Sequence, residues 1–209
     1  MSSDTTGADD AQTPAGLDDA AKTGASGHRL FGWVLGIAAL IVVIDQASKW
    51  WAEAALADGT TIPVIGDLIR FVLVYNPGAA FSIGTEYTWI FAILAGVGAI
   101  AIAWFAWRVG SVGWTIALGL LLGGAVTHLG DRLFRDPGFG RGHVVDFIGY
   151  GDWFIGNVAD IAIFAGAVMI LVLTFMGIAP KGGRVHDSSE ASTDASTDAS
   201  TDASTDGER

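Results

Sequence analysis

Two aspartates stand where an aspartate is costly. Asp146 interrupts the run Val144-Val145-Asp146-Phe147-Ile148, and Asp160 opens the apolar stretch that follows Asn157-Val158-Ala159. An ionised carboxylate at bilayer depth costs roughly 2.5–3.5 kcal/mol on insertion scales. A chain retains such a residue when it is paired, solvated in a cavity, or used. Two carboxylates held close together cannot both ionise cheaply, so they share a proton and titrate apart. One can then act as general base on a water while the other, protonated, polarises a carbonyl. That is the chemistry of peptide hydrolysis without a covalent intermediate.

Further polar residues cluster near these two. Asp45 and Lys49 are four residues apart with the acid first, the favourable order for an ion pair within a helix. Their simplest reading is mutual neutralisation, with Lys49 snorkelling at a helix end; a contribution to a polar site is the alternative. Asn76-Pro77-Gly78 is turn chemistry that can also present an amide to a bound peptide. Thr127, His128 and Asp131 fall on one face of a continuing helix, and Asp131-Arg132 reads as an ion pair anchoring its end. Asn157 precedes Asp160 by three residues and shares its helical face. Ser48 and Ser82 lack a defensible Ser/His/Asp arrangement. His143, Asp146 and Asp160 form a weak ligand set for a metal, without HExxH-like spacing.

Four apolar stretches must position these groups: about Leu30–Trp51, Tyr87–Trp107, Gly113–Gly130 and Phe154–Met176. A helix needs about 20 residues to cross a hydrocarbon core of about 30 Å. All eight tryptophans lie near the ends of these stretches, as an interfacial belt requires. Gly119 and Gly123 make a small-xxx-small pair suited to helix packing. The reading is an all-α membrane protein of four transmembrane helices. Thr61–Ile65 and Leu68–Tyr75, separated by Gly66-Asp67, add a hairpin in the first outer loop. An even number of spans places both termini on one side. Arg29, Arg108, Lys181 and Arg184 lean towards a cytoplasmic location for them, against Arg70, Arg132, Arg135 and Arg141 in the opposite loops.

The chain has 209 residues, 51% of them hydrophobic and 16% charged, with a mean hydropathy of +0.48. Its net charge is −11, but residues 28–180 carry 10 acidic and 7 basic side chains, so −8 of that charge lies in the tails. Residues 1–27 read as a disordered tail without the features of a cleavable signal peptide, and 181–209 as a disordered acidic tail in which Ala-Ser-Thr-Asp repeats four times between 191 and 206. Residues 28–180 make the membrane domain between them. The core has no basic footprint for nucleic acid. The absence of cysteine removes disulfides, thiolate nucleophiles and cysteine-ligated metals. A transporter or channel subunit would need acids spread through the bilayer depth, whereas Asp45, Asp146 and Asp160 cluster near one predicted surface.

Five blocks in order together resemble the lipoprotein signal peptidases, the aspartic signal peptidase II family of bacteria. They are Asp45-Gln46-Ala47-Ser48-Lys49, Asn76-Pro77-Gly78-Ala79-Ala80-Phe81-Ser82, Gly124-Ala125 through Asp131-Arg132-Leu133, Gly142-His143-Val144-Val145-Asp146-Phe147-Ile148 and Asn157-Val158-Ala159-Asp160. The resemblance covers about residues 30–176. It implies a four-helix fold with an extracytoplasmic β-cradle, and Asp146 and Asp160 as the catalytic dyad. Asp45, Lys49, Asn76, Asp131, Arg132 and Asn157 match the family's supporting polar residues, and Gly78 and His128 join them as candidate substrate-binding or supporting residues. The implied substrate is a diacylglyceryl-modified prolipoprotein, cut just before its lipid-modified cysteine. The implied enzyme is a monomer in the bacterial cytoplasmic membrane, in contact with lipid, with its site near the extracytoplasmic face and no metal or organic cofactor. The chain departs from the family pattern twice. Thr127-His128 stands where Gly-Asn is usual before Asp131-Arg132, and Gly156 replaces the usual Phe before Asn157. An inactive homologue that keeps the fold is the third reading, and the intact aspartates argue against it.

Overall fold

A computed structural model describes residues 16–78 and 87–183, with side chains from Arg29 onward. In chain order the described elements are α1 (Gly16–Ala55), β1 (Ile62–Ile65), β2 (Ile69–Asn76), α2 (Thr88–Ala106), α3 (Val112–Phe134), β3 (Val144–Tyr150), β4 (Phe154–Gly156) and α4 (Val158–Phe175). Among the described residues, four helical segments are long and apolar enough to cross a membrane: Arg29–Ala55, Thr88–Ala106, Val112–Phe134 and Val158–Phe175. The shortest, at 18 residues, spans about 27 Å.

α1 begins at Gly16, inside the stretch expected to be a tail. Residues 1–15 and 184–209, including the Ala-Ser-Thr-Asp repeats, lie outside the described residues, as do 79–86.

α3 is the hub, packed against α1, α2 and α4. It was expected to end at Gly130 but runs on through Phe134. Its glycines explain its modest hydropathy, because they replace apolar bulk with close backbone approach. A β-carbon on Gly119 would stand 2.8 Å from Ile37 Cβ, and one on Gly123 would stand 2.7 Å from Ile41 Cβ, both on α1. Gly166 of α4 returns the favour, since a β-carbon there would lie 2.8 Å from the Ala117 carbonyl. Val34, Ala38, Ala99, Trp114, Leu118 and Leu122 fill the space between α1, α2 and α3. α2 turns Ile93, Leu94, Val97, Ile100 and Trp104 outward, as a lipid-facing surface requires. Seven tryptophans are similarly exposed. The eighth departs from the expected belt: Trp114 is buried, and its indole N–H donates to the Ile178 carbonyl at 3.0 Å.

The four strands form one antiparallel sheet in the order β1-β2-β3-β4. The hairpin β1–β2 is as expected from Gly66-Asp67, whereas β3 and β4 come from the second loop and from the start of the expected fourth span. β3 lies in the sheet's interior, with Val74 opposite Asp146 and Asn76 opposite Val144. β4 pairs Gly156 with Ile148 and Phe154 with Tyr150. The fourth helix therefore starts at Val158, not Phe154. A reciprocal capping box between Asn157 and Asp160 fixes that boundary. The sheet rests on the end of α1 through Ala52, Leu56 and Phe147, with Phe71, Leu73 and Val158 around them. Trp51 meets the Phe71 ring edge-on at 5.2 Å between centroids.

Candidate active site

The sheet and the helix ends converge on Asp146. Because strand side chains two residues apart share a face, the β2–β3 register sets Asn76 diagonally beside Asp146. Asn76 Nδ2 donates to Asp146 Oδ2 at 3.0 Å, while Asn76 Oδ1 accepts from the Gly78 N–H at 2.9 Å and closes the turn. The other oxygen of Asp146 accepts from Asn157 Nδ2 at 2.7 Å. Asp146 is only 4% exposed. Burial pushes its carboxyl up to about 6; the nearby Asp160 charge adds to this, and the Asn76 and Asn157 amides and His128 oppose it. The Tyr150 phenol on the same strand is raised by burial first and by Asp160 second.

Asn157 links the two aspartates. It was expected on the same helical face as Asp160, but it is the N-cap of α4. Its side-chain oxygen accepts from the Asp160 N–H at 3.2 Å, and its own N–H donates to Asp160 Oδ2 at 2.8 Å. Its amide nitrogen remains free to reach Asp146. Asp160 thus occupies the first turn of α4. Its Oδ1 faces His128 Nε2 of α3 at 3.1 Å. Both aspartates line one cavity of about 760 Å³, walled by Phe91, Ile155, Ile161 and Phe164 and bounded by Asn76, Gly78, His128 and Arg132. A second, smaller cleft of about 400 Å³ meets it at Asp146 and Asn76 and is lined by Arg70, Asp152 and Trp153.

Behind this site lies a buried charge network. Lys49 does not snorkel: it is fully buried, with Nζ 2.6 Å from Asp45 and 2.7 Å from Asp131. Asp45 accepts from the Thr127 hydroxyl, and its other oxygen accepts from the Ala159 N–H at 2.9 Å. That last bond ties α1 to the first turn of α4, one residue before Asp160. Asp131 also accepts from Gln46 at 2.9 Å and Arg135 at 2.8 Å, and Arg135 continues to Glu53 at 2.6 Å. The expected Asp131–Arg132 pair does not form, because consecutive helical residues point about 100° apart. Arg132 instead donates to the carbonyls of Asn76 at 2.9 Å, Gly142 at 3.1 Å and Gly78. It clamps the turn after β2 to the approach to β3. Among the described residues no buried side-chain nitrogen or oxygen lacks a partner.

The ten residues singled out in the sequence therefore fall into one connected region. Thr127 turns towards Asp45 while His128 turns towards Asp160, so they do not share a face as expected. Gln46, Glu53, Thr127 and Arg135 were missed as members of the network. Their signal was present: Glu53 follows Lys49 by four residues, as Arg135 follows Asp131. No group of three or more potential ligands suited to a metal occurs among the described residues, and His143 takes no place at the cavity.

Membrane-crossing helices, a small sheet at one end and a satisfied polar site walled by apolar side chains define a membrane-embedded enzyme. The chain belongs to the signal peptidase II family, Peptidase_A8, whose model matches residues 37–176. It is thus an integral membrane protein of bacteria and an aspartic peptidase of the signal peptidase II type, the family that removes signal peptides from lipoproteins. Similar curated proteins are lipoprotein signal peptidases. That of Mycobacterium avium (strain 104) is 42% identical over 144 residues, covering 69% of this chain and 79% of the relative. That of Mycolicibacterium smegmatis is 40% identical over 177 residues, covering 85% and 74%. That of Leifsonia xyli is 45% identical over 157 residues, covering 74% and 72%. A solved bacterial membrane enzyme matches with a TM-score of 0.60 at 26% identity, over 69% of this chain and 88% of that one. A second solved bacterial membrane enzyme matches with a TM-score of 0.57 at 27% identity, over 68% and 92%.

Proposed function

We propose that the chain cleaves diacylglyceryl-modified prolipoproteins just before the modified cysteine, with Asp146 and Asp160 as the catalytic pair. The observation that carries this is the shared cavity: two carboxylates joined through Asn157 line one largely apolar chamber. In the reaction, one carboxylate takes a proton from water as the hydroxyl oxygen bonds to the scissile carbonyl carbon. The other gives its proton to the carbonyl oxygen. The resulting diol returns that proton as it collapses, the C–N bond breaks, and the departing amine takes the proton held by the first carboxylate. Residues of both aspartates are regenerated, with no cofactor consumed.

The division of the cavity supports a direction for the substrate. The chamber walled by Phe91, Ile161 and Phe164 suits acyl chains and the apolar signal segment, and the smaller cleft beside Arg70 and Asp152 suits the polar chain after the cysteine. Arg132 and Asn157 act as supports, one holding the Asn76–Gly78 turn and the other both aspartates. Asp45, Lys49 and Asp131 hold the helix ends in register. We place the sheet on the extracytoplasmic side, both termini in the cytoplasm, and residues 28–180 as one peptidase unit that works as a monomer in contact with lipid. The test is direct: purified protein is incubated with a diacylglyceryl-modified prolipoprotein, and the freed signal peptide is sought by mass. Asp146→Asn and Asp160→Asn each keep the side chain's shape and lose its proton transfer, so each lowers the rate by about 10²- to 10⁴-fold. Near wild-type cleavage by either variant would refute the pair.

A further inference from the structure

We propose that His128 is a positioning residue that acts through Asp160: it makes Asp160 the base, leaves the shared proton on Asp146, and so sets the pH range of cleavage. This inference rests on the catalytic pair proposed above and adds the assignment of roles within it.

The two carboxylates have unlike surroundings. Asp146 accepts hydrogen bonds from two neutral amides, those of Asn76 and Asn157. Asp160 accepts from the backbone N–H of Asn157 and faces His128 Nε2. It also lies in the first turn of an 18-residue helix, where the helix dipole favours an anion. Imidazole is the one side-chain type whose charge ordinarily changes between pH 5 and 8. When protonated, the imidazole at 3.1 Å donates to Asp160 as a charge-assisted bond that favours the anion. With the negative charge settled on Asp160, a proton on the pair belongs to Asp146.

A second observation points to the same carboxylate. A β-carbon on Gly156 would stand 2.7 Å from Asp160 Oδ2, so only glycine leaves this carboxylate where it is. The two departures from the family pattern, His128 and Gly156, therefore both bear on Asp160, one on each oxygen. Other charges around the pair are few. Asp146 and Tyr150 lie on β3, Lys49 of α1 is held between Asp45 and Asp131, and Arg132 of α3 is held by carbonyls. α2 has no titratable side chain between 88 and 106.

The experiment compares the pH dependence of kcat and kcat/KM for the wild type, His128→Asn and His128→Gln on a diacylglyceryl-modified prolipoprotein in detergent. Both variants keep a neutral N–H donor and lose the positive charge. The charge of His128 opposes the upward displacement of Asp146, so its loss moves the alkaline limb to higher pH. Activity on the acid side falls at the same time, because the cation beside Asp160 is gone while the Asn157 N–H and the helix end remain. A residue that served packing alone would lower kcat at every pH and leave the limbs in place. If both variants gave wild-type limbs, or a uniform loss with unmoved limbs, the inference would be overturned while the catalytic pair stood. If the wild type itself did not release a signal peptide, the pair would fall and the inference with it. Should His128→Asn not fold, His128→Gln carries the same comparison.

Discussion

Asp146 should make the folded protein less stable as the pH rises through the range where only its unfolded form has lost its proton. Its carboxyl is displaced from 3.8 to about 6 in the folded state. Between those values the folded state binds more protons than the unfolded chain, so stability falls with rising pH and then levels off above about 6. A displacement of about two units is worth about 3 kcal/mol, and at 4% exposure the group gains little relief from solvent. Asp146→Asn removes this pH dependence. It also has a fixed cost, because both Asp146 oxygens accept from amides and an asparagine would turn its own NH₂ towards one of them. That mismatch costs about 1–3 kcal/mol and is the same at every pH. The two effects separate cleanly in a series of melting curves in detergent from pH 4 to pH 7. The melting point of Asp146→Asn relative to the wild type should climb through pH 4–6 and then stay level. At about 2–4 °C per kcal/mol for a chain of this size, the climb is roughly 6–12 °C. A difference that stayed flat across the series would show that Asp146 is not displaced, and the argument from its burial would be wrong.

The network behind the site gives further expectations. Lys49→Met leaves Asp45 and Asp131 buried without their shared cation, at a cost of about 3–5 kcal/mol. Its melting point should drop by at least about 6 °C, and an unchanged value would mean the network is not structural. Gly123→Leu forces a side chain against Ile41 and the Ala38 carbonyl at the α1–α3 contact, whereas the β-carbon of Gly98→Ala meets nothing within 4 Å. The first should lose about 1–3 kcal/mol and the second almost nothing, as paired melting curves in the same detergent would read out.

How much of this was legible in the sequence depends on the range of the interactions. The four spans follow from length and apolarity, and the hairpin follows from β-branched runs around Gly66-Asp67, because these are properties of contiguous residues. The start of α4 was misplaced because hydropathy cannot distinguish an apolar strand from an apolar helix. Phe154–Gly156 is a strand by virtue of pairing with β3, and Asn157 ends it by capping the helix. Spacing alone pairs Lys49 with Asp45 and sends its ammonium to the surface. A third charge, Asp131, lies 82 residues away and draws the ammonium inward. Asp131 and Arg132 were paired by adjacency, although their directions on a helix lead them to different neighbours.

The sequence by itself determined that this is a membrane protein with two costly aspartates, and its five ordered blocks determined the family. Residue types and short spacings are sufficient for that, since hydropathy is local and motifs are read in order. Only the tertiary structure decided that Asn157 bridges Asp146 and Asp160 and that His128 faces Asp160. It also decided that Gly156 leaves the room Asp160 occupies. Those relations join a strand, a helix cap and a second helix, and their distances arise only when the sheet closes over the helix ends.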